Sequence, residues 1–354
     1  MNKSDVFIIG LMSGTSLDGI DLVYVRFDKE SYQDFSILHS KTVSYSEEWK
    51  TTLQDAIHSS SDDLRVLDIN YGKLLGEEIC AFIDEFQIEN IDFIASHGHT
   101  VLHQPENGIT LQVGDGQTIA DATCQKVICD FRTQDVNLGG QGAPLVPIGD
   151  ELLFSDYDYC LNLGGFSNIS FHEDGKRIAY DICPVNIVLN RYAKELGFEY
   201  DDKGMIAAKG TYLMQLESDL RALEYYEQKP PKSLGLEWVQ KEIFPRLESS
   251  KRKPEDLLRT FTDHVAWAIA KVLPKNARVL VTGGGAFNEY LINKVQQEKE
   301  VALIVPGHQL INFKEALIFA FLGLLKSESK INCLSSVTGA SKDHSSGEVY
   351  YPKK

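Results

Sequence analysis

Three segments of this chain place glycines and small polar residues directly after an apolar run. They are Gly10-Leu-Met-Ser-Gly-Thr-Ser-Leu-Asp-Gly19, Leu163-Gly-Gly-Phe-Ser-Asn168 and Val281-Thr-Gly-Gly-Gly-Ala-Phe-Asn288. Glycine lets a backbone approach a ligand closely and turn several N–H groups towards one point, which suits phosphate oxygens. Ser13, Thr15 and Ser16 add hydroxyl donors, and Asp18 and Asp21 add carboxylates able to hold Mg²⁺ directly or through water. No lysine follows the glycines as in a Gly-x4-Gly-Lys-Ser/Thr loop, and none of the turns reads Gly-x-Gly-x-x-Gly. One such turn alone reads as a tight hairpin. Three of them, one near each expected sheet edge, read as a phosphate-binding set. Ser96-His-Gly-His-Thr-Val-Leu-His103 gathers three of the nine histidines. Closely spaced imidazoles can share Zn²⁺, but no cysteine or carboxylate stands there at ligand spacing.

The elements that must position these residues are legible from periodicity. Val6–Gly10, Ile20–Phe27 and Phe35–Tyr45 read as strands, giving antiparallel hairpins at the start of a mixed sheet. Asp63–Phe86 reads as a helix whose Tyr71, Leu75, Ile79, Phe82, Ile83 and Phe86 form one buried stripe. Strands at Ile91–Ser96 and Val127–Asp130 follow, the first α/β signal. The Gly- and Pro-dense segment Asn137–Pro147 marks a junction, so the domains are expected at 1–148 and 149–354. The second half begins the pattern again with strands at Tyr159–Leu163 and Ile169–His172. Helices at Val185–Leu196, Pro254–Leu273 and Phe313–Lys326 come next, with a strand at Arg278–Val281 between the last two.

A chain of 354 residues with 43% hydrophobic and 24% charged residues is long enough for two cores without staples. Its 35 basic against 51 acidic residues give a net charge of −16, which argues against unspecific nucleic-acid or anionic-membrane binding. The six cysteines, at 80, 124, 129, 160, 183 and 333, contain no Cys-x-x-Cys pair. They read as reduced thiols, and their spacing indicates no structural zinc site. Neither a signal-peptide pattern nor an apolar stretch near ~20 residues is present, so a cytoplasmic protein is expected.

Nearly the whole chain resembles the anhydro-N-acetylmuramic acid kinases. The resemblance rests on Gly10–Asp21, Ser96–Val101, Leu111–Asp115, Asp130-Phe-Arg132, Gly139–Pro147, Asn162–Ile169, Gly283–Asn288 and Ser336–Ala340. It implies an α/β, two-domain actin-like ATPase (ribonuclease H-like) fold with a central interdomain cleft. It implies ATP and Mg²⁺, with the phosphates over Gly14, Thr15, Ser16, Leu17, Asp18, Gly19, Ile20 and Asp21. Asp18 and Asp21 would be the metal carboxylates. Gly164 and Gly165 would form the second phosphate hairpin, and Gly283, Gly284 and Gly285 would lie near the nucleoside. His97, His99, Thr100, Gln112, Asp115 and Arg132 would contact the sugar, Arg132 by pairing with the lactyl carboxylate. Glu315 would open the last helix and point into the cleft. Asp181 would be the catalytic base, taking a proton from water as 1,6-anhydro-N-acetylmuramic acid opens and O6 takes the γ-phosphoryl group. The product would be N-acetylmuramic acid 6-phosphate, in peptidoglycan recycling, and the enzyme a homodimer. On the residues alone, Asp181 reads first as a carboxylate at a helix N-terminus, and Arg132 reads equally as half of a structural ion pair.

Three segments depart from the family's usual pattern. Asp181-Ile-Cys-Pro-Val-Asn186 stands for Asp-Thr-Gly-Pro-Gly-Asn. Leu234 and Leu236 stand for Thr and Arg, and Gly116-Gln117 stands for Pro-Ala. These leave open a kinase of another 1,6-anhydrosugar. A non-catalytic nucleotide- or sugar-binding sensor of the same fold is the remaining alternative.

Overall fold

The opening apolar runs form strands β1 (Asp5–Ser13), β2 (Ile20–Asp28) and β3 (Phe35–Val43), an antiparallel meander. The helix Ser61–Phe86 then crosses to β4 (Phe93–Gln104), which runs parallel to β1. It starts on Ser60, whose side chain accepts the Asp63 N–H, as an N-cap should. Its Leu67, Tyr71, Leu75, Ile79 and Phe82 are buried at steps of three and four. Each large apolar side chain so buried is worth about 1.5–3 kcal/mol. Strand β5 (Ile109–Val113) pairs with β4, the helix Gly116–Thr123 follows, and β6 (Val127–Cys129) lies parallel to β4.

The second half repeats the plan. Strands β7 (Tyr159–Leu163), β8 (Phe166–Glu173) and β9 (Lys176–Pro184) form an antiparallel meander. After helices that include Asn186–Glu195 and Pro254–Val272, β10 (Arg278–Thr282) runs parallel to β7. The helix Glu289–Glu298 then leads to β11 (Ala302–Ile304), parallel to β10. The two sheets therefore share one order and one set of directions, β3-β2-β1-β4-β6 and β9-β8-β7-β10-β11. The first sheet also carries β5 and, antiparallel to β6, β12 (Glu348–Tyr350).

The structure, a computed structural model, describes residues 4–14 and 17–353. The chain divides into two units, Met1–Ser155 with Phe313–Lys354, and Asp156–Asn312. A division at 148/149 differs from these units in two ways. The helix Pro147–Leu153 stays with the first unit, and so do the last residues from Phe313 onward. The cause of the second difference is packing. The helix His308–Ser327 brings Ala316 and Ala320 against Gly10 of β1 and Gly323 against Ala95 of β4. A Cβ on Gly10 would stand 2.4 Å from the Ala316 carbonyl oxygen, so β1 needs glycine there for that approach. Among the described residues no helix is long and apolar enough to cross a membrane.

Candidate active site

Glycine turns in the first unit leave the end of β1. The Gly14 carbonyl accepts the Leu17 N–H at 3.2 Å, and Leu17 takes a positive φ of 59° with its side chain in the core. Thr15 and Ser16 lie outside the described residues. Ile20 is buried, so it offers backbone alone, as does Gly19, tight against the Val43 carbonyl. Asp18 is exposed. Asp21 is half-buried, and its Oδ1 accepts the Thr42 hydroxyl at 2.6 Å. Burial pushes its carboxyl above the usual carboxylate range, the Thr42 bond opposes this, and the charge of Asp18 adds to it. Two neighbouring carboxylates of this kind fit a bound divalent cation, which would relieve both burial and repulsion. Ser13 differs from the expectation of a free hydroxyl. It is buried, bonded to Tyr45 at 2.5 Å, to Tyr71 at 2.9 Å and to His99 Nδ1 at 3.0 Å.

A bulge in β4 decides where its histidines go. Leu11 pairs with Ser96 but Ser13 with His99, so β4 carries one extra residue here. Gly98, at φ +70°, takes the bend. Without the bulge His97 and His99 would share a face. Instead His97 packs on Phe319 of the C-terminal helix and His99 on Tyr71 of the helix Ser61–Phe86. Burial lowers the His99 pKa to about 4, so it is neutral at neutral pH. His97 is held well below its ordinary value by burial and then by the Arg132 charge. Its Nδ1–H donates to the Gly98 carbonyl at 2.9 Å, and its Nε2 accepts Arg132 Nε–H at 3.0 Å. Both ring nitrogens are thus engaged, and His97 orients Arg132. A second Arg132 bond, NH1 to the Gly142 carbonyl at 2.6 Å, fixes the guanidinium plane.

Glu315 does not open its helix. The helix begins at His308, five residues before the expected Phe313, which places Glu315 in its interior. Its side chain keeps solvent access, yet protein crowds the carboxyl enough for desolvation to raise its pKa, opposed by Arg132 and Lys314. Asp21 also acts on it, so Arg132, Glu315 and Asp21 share one electrostatic neighbourhood of this unit. Thr100 and Gln112 face each other across β4 and β5, with Gln112 Nε2 3.4 Å from the Thr100 hydroxyl. Asp115 is an N-cap, its Oδ1 accepting Thr118 N–H at 2.7 Å and Thr118 Oγ1–H at 2.5 Å.

In the second unit, the carbonyls of Gly164 and Gly165 accept N–H groups of Val185, Asn186 and Ile187, bracing the β7–β8 turn. A Cβ on Gly165 would meet nothing nearer than 3.9 Å, so packing does not require glycine there. Open backbone at an exposed turn is what a close ligand approach needs. Gly283 differs: at φ +80° it lies against Asn162 and Leu163 of β7, where a Cβ would collide. Beside it Gly284 and Gly285 line a cavity of about 700 Å³. Sequence reasoning missed the rest of that wall, including Asn186, Lys203, Phe287 and His308. Only tertiary folding gathers these, although Phe287 adjoins the triple-glycine turn.

Asp181 lies near the end of β9, paired with Asn168 of β8. It caps no helix, since the helix Asn186–Glu195 begins after Val185. Its Oδ2 accepts Leu234 N–H at 2.9 Å, its own N–H donates to the Lys232 carbonyl, and its carbonyl accepts Tyr225 O–H at 2.6 Å. The departing segment 232–236 therefore cradles this aspartate. Burial raises its pKa and the Leu234 bond partly offsets this. Val185 replaces a family glycine at φ −130° and ψ −96°, with its side chain fully buried. Cys183 replaces the other and packs on Ser167.

A family model described as anhydro-N-acetylmuramic acid kinase matches residues 6–352. This chain belongs to the anhydro-N-acetylmuramic acid kinase family. An anhydro-N-acetylmuramic acid kinase of Coxiella burnetii is 32% identical over 372 residues, covering 98% of each chain. One of Mannheimia succiniciproducens is 34% identical over 376 residues, covering 98% of this chain and 99% of that protein. Among solved structures, the ADPNP-bound activator of 2-hydroxyisocaproyl-CoA dehydratase from Clostridium difficile aligns at TM-score 0.46. It is 14% identical and covers 91% of this chain and 97% of its own. A ROK family glucokinase from Streptomyces griseus with glucose and AMPPNP aligns at 0.41, with 13% identity, covering 89% and 98%. The family kinase fold expected from the motifs agrees with the duplicated sheet order described above.

Proposed function

We propose that this chain, a kinase of the family, uses water to open 1,6-anhydro-N-acetylmuramic acid and ATP to phosphorylate O6. Its place would be peptidoglycan recycling. Water adds to C1, the C1–O6 bond breaks, O6 takes the γ-phosphoryl group, and ADP and a proton leave. The observation that carries the reading is Asp181. It is a half-buried carboxylate fixed by the Leu234 N–H, raised in pKa by burial, at the foot of the Gly164–Gly165 hairpin. A carboxylate so held takes the proton of the attacking water, a role worth about 10²–10⁴-fold. Mg²⁺, held by Asp18 and Asp21, would neutralise phosphate charge. Backbone N–H groups at Gly14, Gly19 and Gly165 bind phosphate oxygens, and the cavity beside Gly284–Gly285 takes the nucleoside. Its volume lies in the usual range for ligand pockets. Arg132, oriented by His97, pairs with the lactyl carboxylate. Thr100, Gln112, His99 and Asp115 serve the sugar hydroxyls, and Glu315 balances the Arg132 charge. The same reading includes a homodimer located in the cytoplasm.

The test is ADP release with 1,6-anhydro-N-acetylmuramic acid, with and without Mg²⁺, alongside the anhydrosugar lacking the lactyl group. The wild type turns over the muramic sugar. Asp181→Asn loses about 10²–10⁴-fold in kcat while ATP still binds. A fully active Asp181→Asn variant removes the base assignment, and a wild type inert towards the muramic sugar removes the substrate.

A further inference from the structure

Among the described residues, one group of buried donor side chains has no role in the site above, although it neighbours Arg132 through Gly142. Asp135, Cys333 and His344 bring a carboxylate oxygen, a thiol and an imidazole nitrogen within 4.8 Å of one another. Asp135 is wholly buried, Cys333 is 1% exposed and His344 5%. The fold builds the group from distant sequence. Cys333 and His344 oppose each other in an antiparallel β-bridge, which sets their side chains on one face. Asp135 reaches them from the short helix Thr133–Asn137.

The hydrogen bonding of His344 makes the group unusual. Its Nδ1 lies 3.1 Å from the Lys342 carbonyl oxygen, which can only accept, so Nδ1 carries the hydrogen. Nε2 is therefore the ring atom that faces the other two groups. That atom is buried with no hydrogen-bond partner and stands 3.6 Å from Asp135 Oδ1. Cys333 Sγ stands 3.5 Å from the same oxygen. A buried polar atom left without a partner is costly. Around a tetrahedral zinc ion, neighbouring S, N and O donors stand roughly 3.3–3.6 Å apart.

We propose that Asp135, Cys333 and His344 form a structural site for a zinc-like divalent cation, completed by one water. On binding, Cys333 gives up its thiol proton to solvent and becomes the thiolate ligand. The surrounding bonds have the form that orients metal ligands. His344 donates its other N–H to a backbone carbonyl, and Asp135 Oδ2 accepts Gly142 N–H at 2.7 Å. Asp135 Oδ1 accepts the Thr338 hydroxyl at 2.7 Å. The cation would clamp the 332–344 segment to the 138–142 loop, already joined by Gln141 N–H to the Thr338 carbonyl and Ser341 N–H to the Leu138 carbonyl. The inference does not depend on the kinase reading. Cysteine spacing alone gave no zinc signal because only one ligand is a cysteine and the three are scattered through the sequence.

The test uses the full chain with Cys80→Ser and Cys124→Ser, since those two thiols lie near each other and could bind metal themselves. After chelator treatment it is titrated with Co²⁺ and then Zn²⁺. One Co²⁺ per chain is expected, with a thiolate-to-cobalt absorption band that Zn²⁺ displaces. Cys333→Ser abolishes the band, His344→Gln weakens Co²⁺ binding by ~10–100-fold or more, and Zn²⁺ raises the Tm of neither variant. Should Cys333→Ser fail to fold, His344→Gln carries the same comparison. Absence of the band, or a band unchanged in the variants, overturns the site.

Discussion

At the scale of single residues, Asp181 carries opposing demands from chemistry and stability. Its folded pKa is raised above the unfolded value of 3.8, so the native state holds the proton more tightly than the unfolded chain does. Its contribution to stability is therefore present below pH 3.8 and lost as pH rises through the folded pKa, leaving a net cost at neutral pH. Asp181→Asn keeps a carbonyl oxygen to accept the Leu234 N–H but removes the charge. It should raise the Tm at pH 7, with the gain shrinking as pH falls towards 3.8. Thermal melts at pH 5, 6, 7 and 8 check this, and a Tm that falls at pH 7 contradicts it. The motif made Asp181 itself legible in the sequence. Its restraint by Leu234 was not, because that contact joins residues 53 positions apart through an irregular segment. Gly116 is similar. A Cβ there would stand 2.5 Å from Cys129 Sγ and from the Tyr350 ring, so its departure from the family pattern makes room for β12.

At the scale of elements, local periodicity located strands, helices and the buried face of the long helix, but not the faces within β4. Tyr71, Leu75, Ile79 and Phe82 form the buried stripe the sequence reading drew for the helix Ser61–Phe86. The bulge at Gly98 was illegible, since it arises from pairing with β1, and it alone separates His97 from His99. The same helix shows what close approach requires. Gly76 faces Ala122 of the helix Gly116–Thr123, where an added Cβ would come within 2.7 Å of the Ala122 Cβ. A Cβ on Gly72 would stand 3.0 Å from the Asp115 carbonyl oxygen. Gly76→Val should force these two helices apart and cost about 1–3 kcal/mol, the usual range for overpacking. Urea unfolding should show a lower midpoint with an unchanged slope. An unchanged midpoint would mean that the neighbouring helix yields freely.

At the scale of the whole chain, the second unit is one continuous stretch while the first is closed by residues from the far end. The sequence showed the repeat, because turn chemistry and strand spacing recur, but not the ownership of the last helix. That helix is apolar on nearly every side from Ala316 to Leu325, so its pattern names no partner sheet. The structure gives the partner through Gly10, Ala95 and Gly149, small residues on which Ala316, Ala320, Gly323 and Ile318 lie. Leu317, Ile318, Phe319, Phe321, Leu322, Leu324 and Leu325 are all at most 2% exposed. Burying seven such side chains is worth roughly 10–20 kcal/mol, comparable with or larger than the ~5–15 kcal/mol by which a native protein is usually stable. A fragment of residues 1–155 should therefore lack a cooperative thermal transition and be digested readily by protease. A fragment of residues 156–312 retains its own core and sheet. It should melt cooperatively and, because every residue lining the Gly284–Gly285 cavity lies within it, bind an adenine nucleotide without the rest of the chain. Circular dichroism and calorimetry on the two fragments read both halves of this expectation. A cooperative melt from residues 1–155 would show that β1, β2, β3, β4 and β6 need no cover from the C-terminal helix.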